Sequence, residues 1–172
     1  MNKKKQEPLV AIVMGSDSDL PIMTETAKTL AMLEVPYEIE ITSAHRSPKR
    51  TAEYASTAAA RGLRVVVAGA GGAFHLAGVI AAQTTLPVIA VPIESSPLAG
   101  WDALLAAVQM PGGVPVGVMA VGRAGAVNAA IFAAQILATG DEPLSLRLIA
   151  FKEKLAEDVI EKSARMKKEF GL

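Results

Sequence analysis

The sequence predicts an α/β fold in three layers, a parallel β-sheet covered by helices on both faces. Two observations lead to this prediction. Short, continuous apolar runs alternate with longer amphipathic segments, and a continuous apolar run is typical of a strand buried on both faces. Proline stands near the start of several longer segments, where it suits the first turn of a helix. Repeated strand–helix units connect parallel strands by right-handed crossovers.

The first strand and the first helix are predicted at residues 9–14 and 21–34. Residues 9–14 are all apolar, and a glycine follows them. Pro21 suits the first turn of the helix, and Pro36 prevents the helix from continuing.

The remaining elements follow the same alternation. Short apolar or β-branched runs indicate further strands at residues 37–41, 65–68, 88–91 and 116–121. The segments between and after them indicate helices at 48–62, 75–83, 101–109 and 124–138, and a long polar helix at 143–170. No linker or change of composition marks a domain boundary. We therefore expect one domain, residues 1–172, with a core at about 9–139 and a C-terminal helix at about 143–170.

The composition excludes several classes of function. The chain has 17 basic and 17 acidic residues, so no overall field favours nucleic acid or an anionic membrane. Cysteine is absent, which excludes disulfides and thiolate metal sites. The two histidines are His45 and His75, and no helical spacing of carboxylates completes a zinc site with them. A basic start, residues 1–5, precedes a polar stretch without a signal-peptide core, so we expect a cytoplasmic protein with a loose N-terminus.

The charge is unevenly distributed along the chain. Residues 69–139 contain only three charged side chains, those of Glu94, Asp102 and Arg123. A membrane-spanning helix does not explain this stretch, because proline and glycine interrupt it before about 20 apolar residues accumulate. Burial against other copies of the same chain is the better explanation, so we expect a homo-oligomer.

Ligands of parallel sheets bind beyond the carboxyl ends of the strands, which makes the loops after Met14, Ile41, Ala68 and Val91 the candidate site. The first loop contains Ser16, Ser18 and Asp19. Its hydroxyl and backbone N–H groups suit a phosphate, and Asp19 suits ribose hydroxyls. The alternative is a capping loop without function, because serine and aspartate are ordinary helix caps.

The second loop contains Ser43, His45 and Arg46. Arginine binds phosphate through two parallel hydrogen bonds. Imidazole both accepts and donates a proton near neutral pH, which makes His45 a candidate acid and base. The alternative is a surface histidine and arginine before a helix that Pro48 opens.

The third loop is rich in glycine and includes Gly71 and His75. Glycine lets the backbone approach a ligand closely. The loop is not a dinucleotide fingerprint, because Phe74 stands where the third glycine is expected. A tight turn between strand and helix is the alternative, with His75 as a helix cap or as an orienting group.

Taken together, these loops resemble those of the class I 5-(carboxyamino)imidazole ribonucleotide mutases, the PurE family. The resemblance extends over about residues 9–139 and depends on the order and spacing of several motifs: GSDSD at 15–19, SAHRSP at 43–48, AGAGGA at 68–73, His75-Leu76, TLPV at 85–88, VQMP at 108–111 and AAQIL at 133–137. One departure is visible, since Ala77 and Val79 replace the proline and methionine usual in this family.

The resemblance implies a flavodoxin-like fold and an octamer with active sites at subunit boundaries. It implies transfer of a carboxylate from the exocyclic nitrogen to C4 of an aminoimidazole ribonucleotide, without a metal, ATP or an organic cofactor. His45 would be the general acid and base. Ser16, Asp19 and Arg46 would bind the substrate, supported by Ser18, Ser43, Gly71 and His75.

Three alternatives remain open from the sequence. The first is a class II carboxylase, which adds free CO2 to aminoimidazole ribonucleotide. The second is a related carboxylase of a different cofactor pathway. The third is a ribonucleotide-binding module without catalysis, in which His45 would be dispensable.

Overall fold

The computed structural model describes residues 7–172, so the predicted loose N-terminus at residues 1–5 lies outside the described residues. The strands are β1 (Val10–Met14), β2 (Tyr37–Ile41), β3 (Val65–Ala70), β4 (Val88–Pro92) and β5 (Gly117–Val118). The helices are α1 (Leu20–Met32), α2 (Pro48–Thr57), α3 (His75–Ala81), α4 (Trp101–Val108), α5 (Arg123–Ala138) and α6 (Glu142–Glu169). A short 3-10 turn, Asp17–Asp19, precedes α1.

All five strands are parallel and lie in the order β2-β1-β3-β4-β5. This is the strand order of flavodoxin-like sheets, so the predicted α/β fold with a long C-terminal helix is confirmed. The chain moves outward from β1 to β2, then returns to the other side of β1 with β3. Ligands bind at such a reversal, which here lies between β1 and β3.

Successive residues of the strands point to opposite faces of the sheet and build two hydrophobic cores. Val10, Ile12 and Met14 of β1 pack in the core formed with α1 and α5. Ala11 and Val13 pack in the core on the opposite face, with α2, α3 and α4. All five side chains are fully buried, as expected for a strand whose sequence is apolar throughout.

Two predicted elements, β5 and α2, are much shorter than expected. β5 has only two residues. It is an edge strand that pairs with β4 alone, and its hydrogen bonds to β4 cease to be regular after Val118. Among residues 7–172, only Met119 N–H and Gly122 N–H donate to β4 beyond that point, at 2.9 and 2.8 Å. Helix α2 ends at Thr57, and the chain then forms turns as far as Gly62, whose φ is +94°.

Helix α6 packs on the domain only through its first half. Leu144 is buried, and Leu148 and Phe151 pack against the same core as α5. Farther along the helix, the apolar side chains of Leu155 and Val159 remain exposed within a single chain. No helix between residues 7 and 172 is both long enough and apolar enough to cross a membrane.

Candidate active site

Four loops at the carboxyl end of the sheet enclose a cleft of about 280 Å³. They follow β1, β2, β3 and β4, as predicted from the parallel sheet. All eight residues that the sequence singled out line this cleft: Ser16, Ser18, Asp19, Ser43, His45, Arg46, Gly71 and His75. The lining is completed by Gly15, Ala44, Ala70, Phe74, Leu76 and Ser95.

The β1 loop is a reciprocal cap. The Ser16 hydroxyl accepts a hydrogen bond from Ser18 N–H at 3.4 Å, and the Asp19 carboxylate accepts one from Ser16 N–H at 3.1 Å. The loop therefore does cap a helical turn, as the alternative interpretation proposed. A capped helix start can also bind a ligand at the same place. Asp19 is only 4% exposed. Its burial raises the pKa of the carboxyl, while backbone hydrogen bonds and the charge of Arg46 oppose this increase.

The β2 loop holds Arg46 against the β1 loop. The Arg46 guanidinium donates to the carbonyl oxygen of Gly15 at 2.7 Å. The backbone N–H of Arg46 donates to the Ser43 hydroxyl at 3.2 Å. Ser43 is held in turn, because its N–H donates to the Ser47 hydroxyl at 3.0 Å. The guanidinium is exposed and has donors left for an anion in the cleft.

His45 and His75 meet across the cleft. His45 Nε2 lies 2.6 Å from His75 Nδ1, and the two rings are nearly perpendicular, with their centroids 4.8 Å apart. Both side chains are exposed. An imidazole pair open to a cleft suits proton exchange with a bound ligand.

The β3 loop turns sharply into α3. Phe74 adopts a left-handed conformation, with φ 42° and ψ 47°, and stands at the N-cap of the helix. Phe74 is only 4% exposed, and its burial offsets the conformational cost, roughly 1–2 kcal/mol. His75 is consequently the first residue of α3 rather than its cap, so the interpretation of His75 as a cap is wrong.

Ser95 is a cleft residue that the sequence reasoning missed. It belongs to the β4 loop, which the sequence predicts to lie at the site, although no motif in that loop points to a particular residue. The signal available in the sequence was its position three residues after the end of β4. Its close approach to Gly71 of the β3 loop depends on the folded chain and has no signal in the local sequence.

A second hollow, of about 520 Å³, lies between α5 and α6. Its lining is mostly apolar, with Ile131, Leu148 and Phe151 among its members, and Lys152 is its one ionisable side chain. The lining of this hollow offers no pair of groups for acid and base work, so the cleft at the end of the sheet is the better candidate for such chemistry.

A model of the AIR carboxylase family matches residues 9–158. The N5-carboxyaminoimidazole ribonucleotide mutase of Bacillus subtilis (strain 168) is 52% identical over 160 residues, which cover 93% of this chain and 99% of the relative. The mutase of the same name from Escherichia coli (strain K12) is 47% identical over 161 residues, 94% of this chain and 95% of the relative.

A solved structure has the same architecture. The crystal structure of Treponema denticola PurE superposes with a TM-score of 0.83 and 28% sequence identity, over 93% of this chain and 99% of the other. The family model, the two full-length relatives and this superposition agree with the resemblance found in the loop motifs. The chain belongs to the AIR carboxylase family.

Proposed function

We propose that this protein is an isomerase of purine biosynthesis. It interconverts 5-(carboxyamino)imidazole ribonucleotide and 4-carboxy-5-aminoimidazole ribonucleotide, and the whole chain acts as one domain. The observation that carries the proposal is the histidine pair, His45 and His75, in a cleft that also contains Arg46. The full-length relatives at 47% and 52% identity are named as mutases of this substrate, which supports the same activity here.

The substrate phosphate binds at the β1 and β2 loops. Arg46 supplies the positive charge, and the hydroxyls of Ser16, Ser18 and Ser43 line the same end of the cleft. Asp19 accepts hydrogen bonds from the ribose hydroxyls. These contacts lie away from the reacting carbon and nitrogen, so their binding energy serves to position the base beside the histidines.

His45 transfers the protons of the reaction. The bond between the exocyclic nitrogen and the carboxylate carbon breaks, CO2 is released inside the cleft, and His45 donates a proton to that nitrogen. C4 then attacks the retained CO2, a carbon–carbon bond forms, and the C4 proton passes to His45. The imidazole thus returns to its starting state, and the net reaction is an isomerisation without external acid or base.

The glycine and alanine residues of the β3 loop suit the retention of CO2. Ala70 and Gly71 line the cleft, and no charged side chain lies between Arg64 and Glu94 in the sequence. An uncharged, water-poor wall holds a small neutral molecule without competing hydration. Gly71 and His75 therefore support the substrate at its reacting end.

The proposal includes a homo-octamer in the cytoplasm. Four large apolar side chains in or next to α4 are 49–64% exposed in a single chain, those of Leu98, Trp101, Leu105 and Val108. They belong to the charge-poor stretch, residues 69–139, and their exposure supports burial against other copies. The absence of cysteine is in keeping with a reducing compartment.

Turnover without bicarbonate tests the proposal. Purified protein is given 5-(carboxyamino)imidazole ribonucleotide in degassed buffer, and formation of the 4-carboxy isomer is followed. We expect conversion at full rate. Product formed only from aminoimidazole ribonucleotide plus bicarbonate would instead assign a class II carboxylase. Ribonucleotide binding without any turnover would assign a non-enzymatic module, and turnover of neither nucleotide would point to a carboxylase of another pathway.

A further inference from the structure

The β4 loop contributes a hydroxyl to the cleft that the proposed mechanism does not use. Ser95 lines the cleft together with His75 and Gly71. Its side chain makes no hydrogen bond to another residue within the described range, 7–172. A serine hydroxyl in a ligand cleft has one donor and two acceptor positions for a bound molecule.

Gly71 determines how closely Ser95 approaches the reacting end of the cleft. A Cβ atom at position 71 would lie 1.7 Å from Ser95 Oγ, 2.7 Å from Ser95 Cβ and 2.8 Å from the carbonyl oxygen of Ile93. No side chain fits this space, and no rotation of Ser95 alone relieves all three contacts. Glycine at position 71 therefore places the Ser95 hydroxyl directly against the β3 loop.

The backbone around Ser95 is held at both ends. On one side, Ile93 N–H donates to the carbonyl oxygen of Ala70 at 3.0 Å. On the other, the Ser96 hydroxyl donates to the Asp102 carboxylate at 2.7 Å and accepts a hydrogen bond from Leu98 N–H at 3.1 Å. Ser96 thus fixes the loop, while the hydroxyl of its neighbour Ser95 stays available to a ligand.

The strand order indicates which part of a bound nucleotide lies near this hydroxyl when its phosphate is bound as proposed. The loops lie side by side in the order β2, β1, β3, β4, so Arg46 and Ser95 stand at opposite ends of the row. A nucleotide whose phosphate lies at Arg46 extends its base toward the β3 and β4 loops. His45 reaches in the same direction, since its ring contacts His75 of the β3 loop.

We infer that Ser95 is a further substrate-binding residue, whose hydroxyl donates a hydrogen bond to the carboxylate that the reaction moves. This inference rests on the proposed function and deepens it. A neutral donor suits the task, because it stabilises the carboxylate both on nitrogen and on C4. A fixed cation would hold the anionic carboxylate more strongly and would hinder its conversion to neutral CO2. Ser95 consequently distinguishes carboxylated nucleotides from aminoimidazole ribonucleotide, which lacks that group.

The test compares two ligands on the same variants. Calorimetry gives the dissociation constants of 4-carboxy-5-aminoimidazole ribonucleotide and of aminoimidazole ribonucleotide for the wild type, Ser95→Ala, Ser95→Thr and the control Ser56→Ala. Ser56 is exposed on α2, outside the cleft, and its hydroxyl bonds only to its own helix, at Glu53. Circular dichroism and light scattering show whether each variant keeps its fold and assembly.

We expect Ser95→Ala to weaken binding of the carboxylated nucleotide about 10-fold or more, and to change binding of aminoimidazole ribonucleotide less than about 2-fold. Ser95→Thr keeps the hydroxyl and should restore most of the difference. Equal weakening of binding for both ligands would show that Ser95 has a structural role only. Unchanged binding of both ligands would show that Ser95 does not contact the carboxylate. Each of these results overturns the inference. Turnover of the wild type is measured separately, so failure of the proposed function is recognised independently.

Discussion

His45 Nε2 lies 2.6 Å from His75 Nδ1, although the two residues are 30 positions apart and belong to different loops. One hydrogen is shared between these two ring nitrogens, so the tautomer of one imidazole determines that of the other. A substrate that exchanges a proton with His45 Nε2 replaces this contact. The pair therefore keeps the His45 ring oriented before a ligand arrives.

We predict that His45→Asn abolishes turnover and leaves the fold and assembly intact. Asparagine is similar in size and polar, but it neither accepts nor donates a proton near neutral pH. The rate of conversion should fall at least ~10²-fold, the lower end for loss of a general acid and base. Steady-state turnover measures the loss, and circular dichroism with light scattering checks the fold and assembly.

His75→Asn serves as the comparison for His45→Asn, because His75 is the one other imidazole in the sequence. Near-normal activity in His45→Asn together with loss of activity in His75→Asn would transfer the acid and base role to His75.

We predict that Arg46→Ala raises KM strongly, because the charge that binds the phosphate is lost. Hydrogen bonds to a charged group are worth about 1.5–3 kcal/mol, so an increase of roughly 10-fold or more is expected. Arg64→Ala is the matched control, since Arg64 is exposed and precedes the amino end of β3, whereas the cleft lies at the carboxyl ends of the strands. An unchanged KM in Arg46→Ala would place the phosphate site elsewhere.

We predict a large homo-oligomer in solution, with eight copies as the expected number. The exposed apolar side chains around α4, together with the charge-poor stretch from 69 to 139, favour burial against other copies of the chain. Light scattering coupled to size exclusion measures the mass. A stable monomer that turns over substrate would contradict this prediction.

A pH-dependent contribution to stability is predicted at Asp19. Its pKa is raised above the ordinary value of 3.8, primarily by burial, so the folded chain binds this proton more tightly than the unfolded chain. The wild type therefore gains stability as the pH falls through the folded pKa, and the gain is complete below 3.8. Urea unfolding at a series of pH values should show this gain in the wild type relative to Asp19→Asn. A constant difference between the two proteins would refute it.

The sequence predicted the sheet and the cleft residues well because both depend on local signals. Continuous apolar runs marked β1 and β3, and the serines and histidines singled out in the first three loops all line the cleft. What stayed hidden depends on contacts between distant segments. The His45–His75 distance, the left-handed conformation of Phe74 and the approach of Ser95 to Gly71 follow from packing of separate loops, and no local pattern encodes them.

The last prediction separates a mutase from a carboxylase. When the carboxylate of 5-(carboxyamino)imidazole ribonucleotide carries labelled carbon, the label should appear largely at C4, and unlabelled bicarbonate in the buffer should dilute it little. CO2 is small, neutral and weakly held, so only a closed pocket makes its recapture faster than its escape. Gly71, His45 and His75 line the cleft of about 280 Å³ in which we expect that recapture to take place. Mass spectrometry of the product measures the retained label. Extensive exchange with bicarbonate would mean that the cleft is open to dissolved CO2, which would favour a carboxylase in which His45 keeps its role and the substrate changes.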